Sequence, residues 1–103
     1  MVTTIDSADD AVELARGAVT ARLAACAQVD GPVTSVYWWE GDVTTEEEYR
    51  VTFKTDAGQG AALVSHLETA HSYDTPEILL TPVDGGHQPY LDWVASETAD
   101  DSV

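Results

Sequence analysis

Basic residues are scarce in this chain of 103 amino acids: four Lys and Arg stand against 19 Asp and Glu, for a formal net charge of −15. Four cations cannot build the basic footprint that phosphate recognition needs, so no nucleic-acid-binding role is expected. An anionic membrane surface is disfavoured for the same reason. Cysteine is nearly absent, and the single thiol of Cys26 excludes an intrachain disulfide framework and a tetrathiolate zinc site within one chain. Long apolar runs are missing: no stretch approaches the ~20 residues of a membrane span, and no basic segment precedes an apolar one as in a secretory leader. A soluble, cytoplasmic protein without membrane partners is the expectation. There is no His-x-x-x-His, Cys-x-x-Cys or EF-hand spacing, no Walker loop and no dinucleotide fingerprint. Ser35 lies in a strand pattern rather than on a nucleophile elbow. Neither a single-chain metal site of known type nor an enzyme is expected.

Hydrophobic residues make up 44% of the chain, enough for one globular core despite the charge. One domain over residues 1–98 is expected, followed by a solvated acidic tail at 99–103. The surplus of carboxylates attracts cations and repels acidic chains. It serves either cation handling or plain solubility, including solubility at high salt.

Met1 to Ile5 is short and β-branched and reads as a strand. Ser7, with Asp10 three residues on, resembles a capping box with Asp in place of Glu. Ala11, Val12, Ala15, Ala18, Val19 and Leu23 then recur at the helical period, predicting a helix over 8–24. Ala25 to Val29 predicts a strand, interrupted by the turn signal Asp30-Gly31-Pro32 and resumed from Val33 to Trp39. Glu40-Gly41-Asp42 predicts a bend, with the hairpin turn itself near Thr45. Tyr49, Val51 and Phe53 alternate with polar residues as in a half-buried strand. Leu63, Val64, Leu67, Ala70 and His71 predict a second helical face, and Glu77 to Val83 a last strand that Pro82 sends to an edge or an end. Pro89 suits the first turn of a closing helix with Tyr90, Trp93 and Val94 on one face. The order β-α-β-β-α-β predicts an α+β, ferredoxin-like antiparallel sheet with both helices on one face, a long hairpin between the second and third strands, and an extra C-terminal helix.

Three Trp and four Tyr are a heavy aromatic load for this length. Trp38 and Trp39 are adjacent, so on a strand one enters the core and the other faces the open side of the sheet. An aromatic on an open sheet face, and the unpaired edges of a long hairpin, favour self-association.

Several stretches, taken in order, resemble the CutA family of divalent-cation tolerance proteins. They are Leu23-Ala24-Ala25-Cys26-Ala27; Ser35-Val36-Tyr37-Trp38-Trp39-Glu40-Gly41; Glu48 six residues before Lys54-Thr55; His71-Ser72-Tyr73-Asp74-Thr75-Pro76-Glu77-Ile78; Pro82-Val83; and Tyr90-Leu91-Asp92-Trp93. The resemblance implies a homotrimer similar to PII-type signalling trimers, in which long hairpins extend the sheet edges of neighbouring subunits. It also implies a link to tolerance of copper and other divalent metals rather than catalysis.

Cys26, His71 and Glu77 are the candidate metal residues. The thiol is either a soft copper ligand or a small packed hydrophobe. The imidazole suits copper or zinc, or else closes a helix. Glu77 is out of place at the head of an apolar strand unless it faces a cleft or a partner. Glu48 and Lys54 share a strand face and either pair as ions, within the hairpin or across subunits, or serve a ligand. Lys54 in a cleft would suit a small anion, the alternative function being a PII-like trimer that binds an anionic metabolite. Trp39, Tyr73, Tyr90 and Trp93 either wall a cleft or pack at an interface. His66 and His87 read as surface residues. Weak copper(II) or zinc(II) binding by imidazole and carboxylate, with no metal required for folding, is the expected activity.

Overall fold

The computed structural model describes residues 1–98. The acidic tail expected at 99–103 lies outside them. Strand β1 (Val2–Ile5) leads to helix α1 (Ala8–Thr20), then to strands β2 (Cys26–Trp39) and β3 (Asp42–Lys54). A 3-10 turn (Ala57–Gln59) opens helix α2 (Gly60–Ala70), followed by the short strand β4 (Ile78–Leu79) and helix α3 (Gln88–Glu97). The sheet order is β2-β3-β1-β4, antiparallel throughout, which is the expected ferredoxin-like arrangement.

The core follows from strand alternation. Thr3, Ile5, Val51 and Phe53 are buried, and between them Val2, Thr4, Arg50 and Thr52 face the other side. Ala11, Leu14 and Ala18 of α1 join Leu63 and Leu67 of α2 in the same cluster, so both helices cover one face. The opposite face is largely polar: Gln28 stands across from Thr52, Asp30 from Arg50, and Thr4 from Arg50 on its other side.

Helix α1 starts as the sequence indicates. Ser7 Oγ accepts from Asp10 N–H at 3.3 Å, one half of a capping box. It ends at Thr20, short of the expected residue 24, because the chain reverses there. The Arg22 amide reaches Val19 O and the Leu23 amide reaches Ala18 O, with Arg22 left-handed at φ 62. That is a Schellman closure on a residue other than glycine.

The hairpin turn falls at Glu40-Gly41 rather than near Thr45. Both residues have positive φ (49 and 86), the condition for a two-residue turn that matches strand twist. Trp39 faces Asp42, and Thr44 to Glu46 continue the ladder opposite Tyr37 to Ser35. Asp30-Gly31-Pro32 does not break β2; it is a bulge, where pairing shifts between Asp30 and Val33. Gly31 is required there: a Cβ would stand 2.8 Å from the Tyr49 ring and 3.0 Å from Glu48 O, and its φ is +146. Neither Trp38 (74% exposed) nor Trp39 (55%) enters the core, contrary to the one-in, one-out expectation. They pair with Val43 and Asp42 near the hairpin tip, beyond the reach of the helices. The last strand keeps only Ile78–Leu79 of the expected 77–83, since β1 offers partners only at Val2 and Thr3.

Candidate functional site

Two open clefts flank the sheet. The smaller, of about 770 Å³, lies between the hairpin, the end of β1 and the loop from Tyr73 to Glu77. Asp6, Glu46, Glu48, Asp74 and Glu77 line it, with Trp39 and Tyr73 among its aromatic residues and, among the described residues, no Lys, Arg or His.

Three residues shape this acidic cleft. His71 caps α2 and is buried. Its Nε2 lies 2.8 Å from Thr4 O, and its Nδ1 is 3.1 Å from the Tyr73 amide. A carbonyl only accepts and an amide N–H only donates, so the ring is the neutral Nε2–H tautomer, satisfied at both nitrogens. The Tyr73 ring packs on the imidazole at 4.7 Å and its hydroxyl donates to Glu48 Oε2 at 3.0 Å. Burial, then that hydrogen bond, pushes the Tyr73 phenol above its ordinary 10.0. Glu48 is only 7% exposed, and Tyr73 is its one hydrogen-bond partner among the described residues. Glu77 holds β1 through its backbone, Thr3 Oγ1 donating to Glu77 O at 2.6 Å, while the residue itself is exposed.

The structure does not gather Cys26, His71 and Glu77 into one cluster. Among the described residues no group of three or more His, Cys, Asp or Glu is placed to hold a metal ion. Cys26 lies at the other end of the sheet opposite Lys54, its Sγ 3.4 Å from the Tyr90 hydroxyl. That contact raises the Tyr90 phenol. Glu48 and Lys54 make no ion pair within the protomer, because six residues of strand separate them by about 20 Å. Lys54 Nζ donates instead to Gln28 Oε1 at 2.6 Å. The aromatic residues do not wall a single cleft: Trp39 and Tyr73 line the acidic one, Tyr90 lines the other, and Trp93 packs at a tilt against Tyr90 with ring centres 5.7 Å apart. His66 is half-buried facing Gly17 of α1, not a surface residue, whereas His87 is exposed.

The sequence reading missed Asp6, Glu46 and Asp74 as cleft residues. Asp74 sits inside the His71-to-Ile78 stretch, so a signal was available. Asp6 just past β1 and Glu46 opposite Ser35 in the hairpin meet only through the tertiary fold, which no local pattern announces.

The larger cleft, of about 830 Å³, opens between the end of β3, residues 80–83 and the start of α3. Lys54, Thr55, Asp56, His87 and Tyr90 line it beside Leu80, Val83 and Leu91.

The family described as CutA1 divalent ion tolerance protein matches residues 1–97. The divalent-cation tolerance protein CutA of Pectobacterium atrosepticum is 41% identical over 88 residues, spanning 84% of this chain and 80% of that protein. The chloroplastic Protein CutA 1 of rice is 36% identical over 95 residues, 92% of this chain; the chain spans about half (54%) of the rice protein's length. Among solved structures, the divalent cation tolerance protein Cut A1 of Thermus thermophilus superposes with a TM-score of 0.91 at 33% identity, covering 95% of both chains. CutA1 of Oryza sativa gives 0.91 at 34% identity, covering 98% of this chain and 92% of that one. With the family match over residues 1–97 and solved structures superposing over nearly the whole chain, the protein belongs to the CutA1 family of divalent ion tolerance proteins.

Proposed function

We propose that this protein takes part in divalent-cation tolerance by binding cations weakly, as a homotrimer, at the acidic cleft. The observation that carries the reading is the concentration, among the described residues, of five carboxylates around one cleft with no basic residue. Such a site offers oxygen donors to a hydrated divalent ion, copper(II) and zinc(II) included. With no closed ligand cluster among the described residues of the protomer, weak binding is the outcome the chemistry favours over tight capture. Glu77, exposed on the cleft wall, and the buried Glu48 are the residues that would face the ion; His71 keeps the loop in place through both its nitrogens. Cys26, far along the sheet, serves as a ligand only if another subunit supplies the remainder.

The trimer reading is supported by the sheet's two dissimilar open edges. Strand β2 ends one side, with Val36 and Trp38 exposed, and β4 ends the other, with Leu79 exposed. A β2 edge set against a neighbour's β4 edge is a head-to-tail contact, which closes into a ring when the rotation permits.

Calorimetric titration of the purified protein with copper(II), zinc(II) and magnesium tests the cation reading. Saturable heat that falls at least severalfold in Glu77→Gln is expected. Heat unchanged in both Glu77→Gln and Glu48→Gln would move the site elsewhere, and no heat with any of the three ions would end the reading.

A further inference from the structure

The two clefts differ in charge. Among the described residues, five carboxylates and no base line the acidic cleft, whereas the larger one has a single carboxylate, Asp56, formally balanced by Lys54, with His87 beside them. In a chain with 19 acids and four Lys and Arg, this separation is not what an even spread of charge would leave. Asp56 is also engaged: its Oδ2 accepts from the Gly58 amide at 3.1 Å. Two of the chain's arginines, Arg22 and Arg50, are held by carboxylates at 2.6 and 2.7 Å. Lys54 differs, its one hydrogen-bond partner among the described residues being the neutral Gln28 side chain. An ammonium held by a neutral amide keeps its charge available to an incoming anion.

The remaining walls say what else the ligand carries. In the single protomer Leu80 and Val83, just past the β4 edge, are exposed large apolar residues on one side of the cleft. Leu80 is seated against Gly60, where even a Cβ would come within 3.1 Å, so this wall has a fixed backing in α2. Hydroxyls of Thr55 and Tyr90 lie along the rim, although Thr55 Oγ1 already donates to Leu23 O at 2.7 Å. The Met1 ammonium also lies at this cleft but donates to Phe53 O at 3.0 Å. The Lys54 ammonium beside an apolar wall matches an anionic head on a short hydrocarbon body.

We propose that this larger cleft binds a small organic carboxylate with a short apolar body, its charge met by Lys54. The proposal is independent of cation binding and of the acidic cleft. The net charge of −15 works against any anion, so affinity rests on the local ammonium and on burial of the apolar body.

Titration of the whole protein, free of added metal, with sodium hexanoate tests it, followed by amide NMR shifts and by the melting temperature. Hexanamide serves as the uncharged probe and inorganic phosphate as the anion without an apolar body. Hexanoate is expected to bind saturably, to raise the melting temperature, and to shift amides of Thr55, Thr81 and Leu91. Hexanamide and phosphate should bind at least severalfold more weakly. Lys54→Met should weaken hexanoate about tenfold or more, the usual loss for a hydrogen bond to a charged group, with Lys54→Arg restoring most of it. Equal binding of hexanoate and hexanamide, stronger binding of phosphate, shifts gathered on the acidic cleft, or no saturation would each overturn the proposal. The probe comparison on the unaltered protein decides the matter even if Lys54→Met fails to fold. Absence of metal binding would leave it untouched.

Discussion

At the scale of single residues, the floor of the acidic cleft is a relay of hydrogen bonds in which each member fixes the next. Thr4 O sets the His71 tautomer, His71 Nδ1 holds the Tyr73 amide, and the Tyr73 hydroxyl holds Glu48. The consequence for pH follows from Tyr73. Its phenol is raised by burial and by the Glu48 carboxylate, so the folded state holds that proton more tightly than the unfolded chain. This contribution to stability is therefore complete below the ordinary value of 10.0 and is lost as pH rises above it. Urea unfolding at about pH 8 and about pH 11 should show a fall in stability that is clearly smaller in Tyr73→Phe. At neutral pH the same substitution should cost about 1 kcal/mol, because it leaves a buried carboxylate without its donor. An equal alkaline fall in both proteins would assign it to other phenols, Tyr90 beside Cys26 first. The anchoring role of His71 was partly legible, since the helical spacing placed it at the end of α2. Its bond to Thr4 O, 67 residues away in sequence, was not.

At the scale of elements, the hairpin turn shows how local chemistry decides a boundary. The acidic run after Thr45 looks like a loop by composition, yet Gly41 supplies the positive φ that a two-residue turn demands. Charge on an exposed strand is tolerated; left-handed backbone is restricted to few residue types. Glu40 carries φ 49 in that turn, where Asn is favoured. Glu40→Asn should therefore stabilise the protein by about 0.5 kcal/mol, read as a higher urea midpoint with an unchanged slope. Gly31 gives the opposite case: Gly31→Ala sets a Cβ within 3.0 Å of Glu48 O as well as the Tyr49 ring, and should cost about 2 kcal/mol or more, with the same measurement as the check. The strands and helices were readable from periodicity because one face of each meets the core. The end of α1 was not, since Arg22 stands where glycine usually marks a stop. The short β4 was not either, because its length depends on β1, which offers only two partners.

At the scale of the whole molecule, shape and charge pull in opposite directions. The described chain is 48 Å long and 27 by 23 Å across, and its long axis is accompanied by exposed Val36, Trp38, Trp39 and Val43 on the hairpin. Covering that apolar surface favours assembly. Each copy also carries a formal charge of −15, so bringing three together sets like charges against one another. Salt separates the two terms: the screening length falls from about 30 Å at 0.01 M to about 8 Å at 0.15 M, while apolar burial is little affected. If three copies meet through their hairpins, light scattering at micromolar protein should report three times 11.0 kDa at the higher salt, with dissociation appearing first at the lower. Emission from Trp38 and Trp39 should shift to shorter wavelength over the same range as their rings leave water. Trp38→Glu places a charge in the contact and should shift the mass toward a single chain with the far-ultraviolet spectrum retained, since Trp38 lies outside the protomer core. A particle of 11.0 kDa at every salt concentration would remove the ring. A cation at the acidic cleft, as proposed, would then have to be held by the carboxylates of one chain alone.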